Sequence, residues 1–271
     1  MICHNCPVNC DIAEGQTGKC HARGVKDGKV VCENYGRITS LALDPIEKKP
    51  LKMYRPGSYI LSAGSYGCNM HCMWCQNDSI SRGRVEADFL SCEELAGIAL
   101  DTRSRGNIGL AFTYNEPSVG YEYVLDCSRL LKQNDMCTVM VTNGMLSPER
   151  FDTLIPYIDA YNIDLKTGDA KKYESIGGSL DVILRNIRAA SDAGRHVELT
   201  TLVVPGFNDD ADDFSRIVSA VAGIDRSIPL HITRFFPAGS YRDVSPTRPE
   251  KLYEFRDIAR SKIDNVFLGN I

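Results

Sequence analysis

From about residue 58 onward, short apolar runs rich in branched residues alternate with longer segments of helical period. That rhythm restricts the chain to folds built on a parallel sheet, because each crossover helix covers a face of the strands it joins. Candidate strands are Tyr59 to Ala63, Ile108 to Thr113, Cys137 to Val141, Ala160 to Asp164, Val197 to Val203, Pro229 to Thr233 and a final Asn265 to Leu268. Each is apolar enough for burial on both faces. Between them, Ser91 with Glu94 reads as a capping box before a Leu95, Ile98, Ala99 stripe, and Ser147-Pro148 as an N-cap followed by proline at the first helical position. Pro249 opens the last helix in the same way. Six or seven such units predict an α/β chain folded as a partial (β/α)6 parallel barrel. A doubly wound open sheet would need a glycine-rich phosphate turn after its first strand, whereas this first strand leads into cysteines.

In a barrel of this kind, functional residues gather where strands end and βα loops begin. The polar motifs fall at those points: Tyr114-Asn115-Glu116-Pro117, Thr142-Asn143-Gly144, Asp164-Leu165-Lys166, Val204-Pro205-Gly206 and Arg234-Phe235-Phe236-Pro237 each follow a candidate strand. Residues 58–271 are therefore read as the barrel. Residues 1–57 differ in texture, rich in Cys, Gly, Lys and Pro, and are read as a small N-terminal metal-binding lobe. Its hairpin strands are expected around Lys29 to Cys32 and Ile38 to Leu43, and Asp44 to Leu51 reads as a charged, proline-bracketed connector.

The net charge of −4, with Lys and Arg spread along the chain and no basic arm, argues against nucleic acid or an acidic membrane as partner. No apolar run approaches the roughly 18 residues of a spanning helix, and the cysteines at positions 3, 6 and 10 leave no room for a signal peptide. A cytoplasmic chain is expected. In that compartment eleven closely clustered cysteines point to metal ligation rather than disulfides.

Cys68, Cys72 and Cys75 stand in a Cys-x3-Cys-x2-Cys run, one ligand short of a closed cubane or tetrahedral zinc site. The next cysteine, Cys92, lies well past the loop. Three thiolates so close can each take one iron of a 4Fe-4S cluster and leave the fourth iron open. Zinc with a distant fourth ligand, or buried free thiols, are the plainer alternatives. A second set, Cys3, Cys6, Cys10 and Cys20, has metal-like spacing with Cys32, His4 and His21 as spares, and suits either zinc or an iron-sulfur cluster. Cys127 shares a helical stripe with Tyr123, Val124, Leu130 and Leu131, and with Cys92 and Cys137 is expected in the core.

The first cysteine run, with Trp74 just before its last member and the βα pattern after it, resembles the radical S-adenosylmethionine (SAM) enzymes. Tyr114-Asn115-Glu116-Pro117, Val141-Thr142-Asn143-Gly144, Asn162-Ile163-Asp164-Leu165-Lys166 and Leu202-Val203-Val204-Pro205-Gly206 are similar to the branch containing the pyruvate formate-lyase activating enzyme. The N-terminal cysteines, the Asp44 to Leu51 segment and Arg234-Phe235-Phe236-Pro237 further resemble the radical SAM member of the AmmeMemoRadiSam group.

The resemblance implies an oxidoreductase working anaerobically with a 4Fe-4S cluster and SAM. In such enzymes the open iron takes the amino and carboxylate groups of SAM, and an electron from a low-potential flavodoxin or ferredoxin splits the sulfonium bond. Methionine and a 5'-deoxyadenosyl radical result, and the radical removes a hydrogen atom from substrate. By resemblance Glu116 holds the methionine ammonium, Lys166 meets its carboxylate, Asn143, Asp164 and His231 contact ribose, methionine or adenine, and Trp74 packs near the adenine. Two positions depart from the activating enzymes, with Val141 where they carry an aspartate and Thr200 where they carry an arginine.

Each residue also has a plainer reading. Glu116 before Pro117 suits a loop acid ahead of a helix, Asp164 and Lys166 suit a rim ion pair, His231 a satisfied core histidine, and Arg234 either an anion clamp or a rim salt bridge. The expected substrate is a glycine of a glycyl-radical partner enzyme. A small molecule or another protein is the alternative, and a non-catalytic iron-sulfur or zinc protein the rival from another class.

Overall fold

The computed structural model describes residues 1–271. The first cysteines lead into a hairpin of β1 (Arg23–Lys26) and β2 (Lys29–Cys32), followed by β3 (Arg37–Ile38) and β4 (Ser40–Pro45). The barrel begins at β5 (Tyr59–Gly64). It continues through α1 (Asp78–Ser81), β6 (Asp88–Phe89), α2 (Cys92–Asp101), β7 (Asn107–Phe112), α3 (Tyr121–Gln133), β8 (Cys137–Thr142), α4 (Pro148–Leu154) and β9 (Ala160–Asp164). Then come α5 (Ala170–Ser175), α6 (Leu180–Asp192), β10 (His196–Val203), α7 (Ala211–Ala222), β11 (Leu230–Arg234), α8 (Pro249–Arg260) and β12 (Val266–Gly269).

The main sheet has eight strands in the order β12-β11-β10-β9-β8-β7-β5-β4, and β3 pairs separately with β6. From β5 to β12 every neighbouring pair is parallel. Because β12 and β4 do not pair with each other, the sheet stays an open, partial barrel. Six strand-helix units and one closing strand make up this body, as the alternating pattern predicts. The Ser91 capping box forms in full, and Pro148 and Pro249 occupy first-turn positions of α4 and α8. Cys92, Cys127 and Cys137 are buried in the core.

The N-terminal residues differ from the expected plan. Instead of completing a hairpin with β2, β4 runs antiparallel along the outer edge of β5, from Ser40 opposite Gly64 to Pro45 opposite Tyr59. It supplies partners for an edge that would otherwise be bare. The segment read as a connector is folded into the barrel. Ile46 and Leu51 are fully buried against Ile60, Ala111, Val139 and Ala160, and the Asn162 side chain donates to the Pro50 carbonyl at 2.9 Å. The main sheet thus starts at Ser40, inside the residues assigned to the lobe, while β1 and β2 form a two-stranded sheet of their own.

One close approach in the sheet is testable. Gly109 in β7 faces Cys137 in β8, and a Cβ built there would lie 1.9 Å from the Cys137 carbonyl oxygen. Gly109→Ala is expected to lower stability by about 1–3 kcal/mol in urea unfolding. An unchanged midpoint would mean that the strands part at no cost.

Candidate active site

The loop after β5 bends at Gly67, whose φ of +92° and proximity to the Cys20 carbonyl, 2.5 Å from where a Cβ would sit, exclude a side chain. Backbone bonds from Gly67 to Ile80 (2.8 Å), His71 to Ile176 (2.8 Å) and Cys75 to Cys72 (3.2 Å) then fix its course. Cys68, Cys72 and Cys75 all line one cavity of ≈ 370 Å³, shared with Trp74, Glu116, Asn143, Asp164 and Lys166. No fourth cysteine lines it. Burial, and then the Glu116 carboxylate, push the Cys68 thiol well above its ordinary range; burial also raises Cys72, against the pull of Lys166.

Glu116 caps the turn after β7 and is almost wholly buried. One carboxylate oxygen accepts from the Ser118 amide (2.9 Å) and the Thr142 hydroxyl (2.6 Å), and the other from the Asn143 amide (2.7 Å). Burial raises its pKa, and these donors oppose the rise. The Asn143 side chain donates to Asn69 Oδ1 at 2.9 Å, stands 3.7 Å from Cys68 Sγ, and accepts from the Met145 amide at 2.9 Å. The Thr-Asn-Gly turn, the acid and the cysteine loop are thereby one hydrogen-bonded unit.

At the end of β9, Lys166 Nζ pairs with Asp164 at 2.9 Å. Burial would lower the lysine pKa, but Asp164 and then Cys72 outweigh it and hold the ammonium charged. Trp74 packs against Phe207 at 4.3 Å and Tyr241 at 5.9 Å between ring centroids. It also lines a neighbouring cavity of ≈ 490 Å³ with Arg234 and Phe236. There Arg234 is held by Nε to the Thr247 carbonyl (2.7 Å), lies 4.9 Å over the Phe236 ring, and has no carboxylate partner. The rim salt bridge open to Arg234 does not form.

His231 takes the place of a satisfied core histidine rather than of a cavity-lining contact. It is buried on β11 level with Thr200, does not line the cavity, and its Nε2 bonds the Glu198 carboxylate at 2.6 Å. Glu198 also accepts from His196 Nε2 (2.8 Å) and the amides of Lys52 (3.0 Å) and Met53 (2.8 Å). The histidine thus belongs to the anchor of the inserted segment.

Other lining residues carry no local signal. Lys49 reaches the cavity because its segment is folded inward, where its Nζ pairs with Asp44 (2.9 Å) and lies 4.8 Å from the Tyr114 ring centroid. Val141 and Thr200, the two departures from the activating enzymes, both line it as well.

The second cysteine set is also gathered. Cys3, Cys6, Cys10 and Cys20 line a separate cavity of ≈ 10 Å³ that also touches Asn69, whereas Cys32, His4 and His21 do not line it. In neither set are three donor atoms drawn together as a formed metal site. No helix is long and apolar enough to cross a membrane.

Compared with known proteins, residues 63–217 match the radical SAM superfamily, more than half of the chain. The chain belongs to the radical SAM superfamily. The general chemistry of this superfamily uses a 4Fe-4S cluster and SAM, which makes the protein a radical SAM enzyme. An uncharacterized protein of Methanocaldococcus jannaschii is 37% identical over 99% of this chain and 81% of its own length. The GTP 3',8-cyclase of Pelotomaculum thermopropionicum is 28% identical over 72% of the chain. The 4-hydroxyphenylacetate decarboxylase activating enzyme of Clostridioides difficile is 33% identical over 57%. The radical SAM chain spans 61% and 53% of the lengths of those last two. A domain of pyruvate-formate lyase-activating enzyme from Bacteroides vulgatus shares the fold, with a TM-score of 0.52 and 18% identity over 60% of this chain and 99% of that one.

Proposed function

We propose that Cys68, Cys72 and Cys75 hold the 4Fe-4S cluster, that SAM lies in the cavity beside it, and that the enzyme takes a hydrogen atom from a substrate at the barrel mouth. What carries this reading is that three thiols and no fourth share one cavity with a buried carboxylate, a charged lysine and an aromatic ring. The donor set fits both groups, since three thiolates suit a cluster left open at one iron, and the charged side chains suit the two ends of an amino acid. When bound, the reduced cluster supplies the electron that splits SAM and so generates the hydrogen-abstracting radical.

The chain's own residues bind and orient. Glu116, fixed by three donors, faces the methionine ammonium; Lys166, kept charged by Asp164, faces its carboxylate; Trp74 offers a face to the adenine. Asn143 holds the cysteine loop to the turn that carries Glu116. Thr200 leaves out the arginine of the activating enzymes, so Lys166 bears more of the contact with the methionine end.

Lys166→Ala in the reconstituted enzyme is expected to weaken SAM binding about 10- to 100-fold, the worth of one charge-assisted hydrogen bond. The check is titration of the cluster spectrum with SAM. Unchanged affinity removes Lys166 from the site.

For the substrate, the reading is a glycyl-radical activase, supported by the similarity to the 4-hydroxyphenylacetate decarboxylase activating enzyme. A flavodoxin or ferredoxin supplies the electron in the cytoplasm. Abstraction from a small anionic molecule is the second reading, favoured by the carboxylate-free Arg234 in the adjoining ≈ 490 Å³ cavity. With a candidate partner deuterated at glycine Cα, the first reading expects deuterium in the 5'-deoxyadenosine formed; deuterium arriving only from a labelled small anion contradicts it. The lobe of this reading is the part of residues 1–57 that precedes the main sheet at Ser40, and Cys3, Cys6, Cys10 and Cys20 hold a second metal there, zinc or iron-sulfur.

A further inference from the structure

The four cysteines of the N-terminal lobe stand apart from the barrel mouth, and their surroundings distinguish between the metals that their spacing permits. Two turns with left-handed residues shape the segment. Asn9, at φ +46°, closes back on Cys6, and His21, at φ +59°, closes back on Gly18, while the Cys3 amide bonds the Cys10 carbonyl at 2.9 Å. The result is that Cys3, Cys6, Cys10 and Cys20 line one cavity and the three spare ligands do not.

Size separates the candidates. A cavity of ≈ 10 Å³ accepts about one water-sized body, whereas the ≈ 370 Å³ beside Cys68 has room for a multi-iron cluster and a ligand. Arg23 adds an independent observation. It lines the same cavity and is 3% exposed, and although its terminal nitrogens pair with Glu122, its Nε is buried without a hydrogen-bond partner. An orphaned N–H costs free energy unless an acceptor faces it; the thiols that bear on this guanidinium are Cys32 and then Cys3, and of these a metal-bound Cys3 thiolate would be such an acceptor in the cavity.

The lobe also needs a staple. Its apolar clusters are two small ones, Cys3, Ile12 and Val25 with Cys10 and Val30 against them, and Cys20 and Ala22 against Val119 of the barrel, little to hold a four-residue hairpin in water.

We propose that Cys3, Cys6, Cys10 and Cys20 bind one zinc ion as a closed tetrathiolate, a structural site that pins the lobe against the loops carrying the active site. This deepens the second-metal reading above. The pinning is physical: Asn69 lines the zinc cavity, follows Cys68 directly, and bonds both Asn143 and the Met145 carbonyl. Asn5 donates to the Ser118 carbonyl at 2.9 Å and its own carbonyl accepts from Ser147 at 3.0 Å. The lobe therefore touches the turn after Glu116 and the loop after Asn143.

The test uses the full chain with Cys68→Ala, Cys72→Ala and Cys75→Ala combined, purified without added metal and then counted by mass spectrometry and X-ray absorption. The expected result is one zinc per chain, no iron, and a shell of four sulfurs at about 2.3 Å. An iron-sulfur absorption band in this variant, a zinc shell with nitrogen or oxygen ligands, or no zinc at all overturns the proposal. In the otherwise native chain, Cys6→Ser should lose zinc while iron remains at the first site. If that variant is insoluble, cobalt exchanged into the triple variant decides the same question: charge-transfer bands of a four-thiolate site support the proposal, and their absence overturns it. Failure of the native enzyme to cleave SAM would remove the catalytic reading and leave the zinc count untouched.

Discussion

Replacing Cys68, Cys72 and Cys75 together with alanine reduces 5'-deoxyadenosine formation to the level of the protein-free control. The three thiols are the only cysteines lining the cavity, so no neighbour can substitute for them. They are half-buried in a loop whose course is held by backbone bonds at Gly67 and His71, and the substitutions remove little core packing. Near-native far-UV circular dichroism and a near-native melting temperature are expected, together with loss of the cluster absorption. A variant that still cleaves SAM, or that loses its activity only by unfolding, contradicts the assignment.

The second large effect lies below the cavity. The Glu198 side chain is 0% exposed, and burial alone would raise its pKa, yet His196, His231 and the Met53 amide hold it at about 2 against an ordinary 4.5. A carboxyl whose folded pKa is depressed contributes stability that is complete above the unfolded value and is lost as pH falls through the folded one. The window is therefore pH 4.5 down to about 2. That depression contributes stability on the order of a few kcal/mol at neutral pH.

Glu198→Gln removes that charge from a buried network and is expected to cost about 3–5 kcal/mol at pH 7. The gap from the native enzyme should narrow as pH falls through the window, in urea unfolding followed at several pH values. His231→Gln should also destabilise the fold while leaving SAM affinity unchanged in the folded fraction. Equal stability of Glu198→Gln and the native enzyme, or weakened SAM binding in a fully folded His231→Gln, would restore His231 to the cofactor site.

These two regions show what a sequence of this kind makes legible. Parallel strands buried on both faces write themselves as contiguous branched runs, and the seven candidates fall within one or two residues of β5 and β7 to β12. The residues that follow strand ends share a mouth because the barrel brings all those ends together, so Glu116, Asn143, Asp164 and Lys166 meet the cysteine loop although they are far apart in the chain.

What stayed hidden depends on non-local partners. A strand such as Ser40–Pro45 does not encode which edge it will join, and the charges of Asp44, Lys48 and Lys49 conceal that Ile46 and Leu51 are core residues. The sequence pattern puts His231 two residues before a strand end at Thr233, but β11 runs to Arg234 and the histidine finds Glu198, 33 residues away, instead of the cavity. Ser147 is a smaller case, since it occupies the N-cap of α4 while its side chain accepts no capping hydrogen bond.

If Cys68, Cys72 and Cys75 are the whole protein ligand set of the cluster, one iron is left for the amino-acid end of SAM. Pulsed electron-nuclear double resonance reads that iron directly, on the anaerobically reconstituted, reduced enzyme with SAM isotopically labelled at the methionine nitrogen and carboxylate. Hyperfine coupling from both labels to the cluster is expected, and it should vanish in the triple cysteine variant. A reduced cluster with no coupling to either label, while SAM is bound, would overturn the assignment.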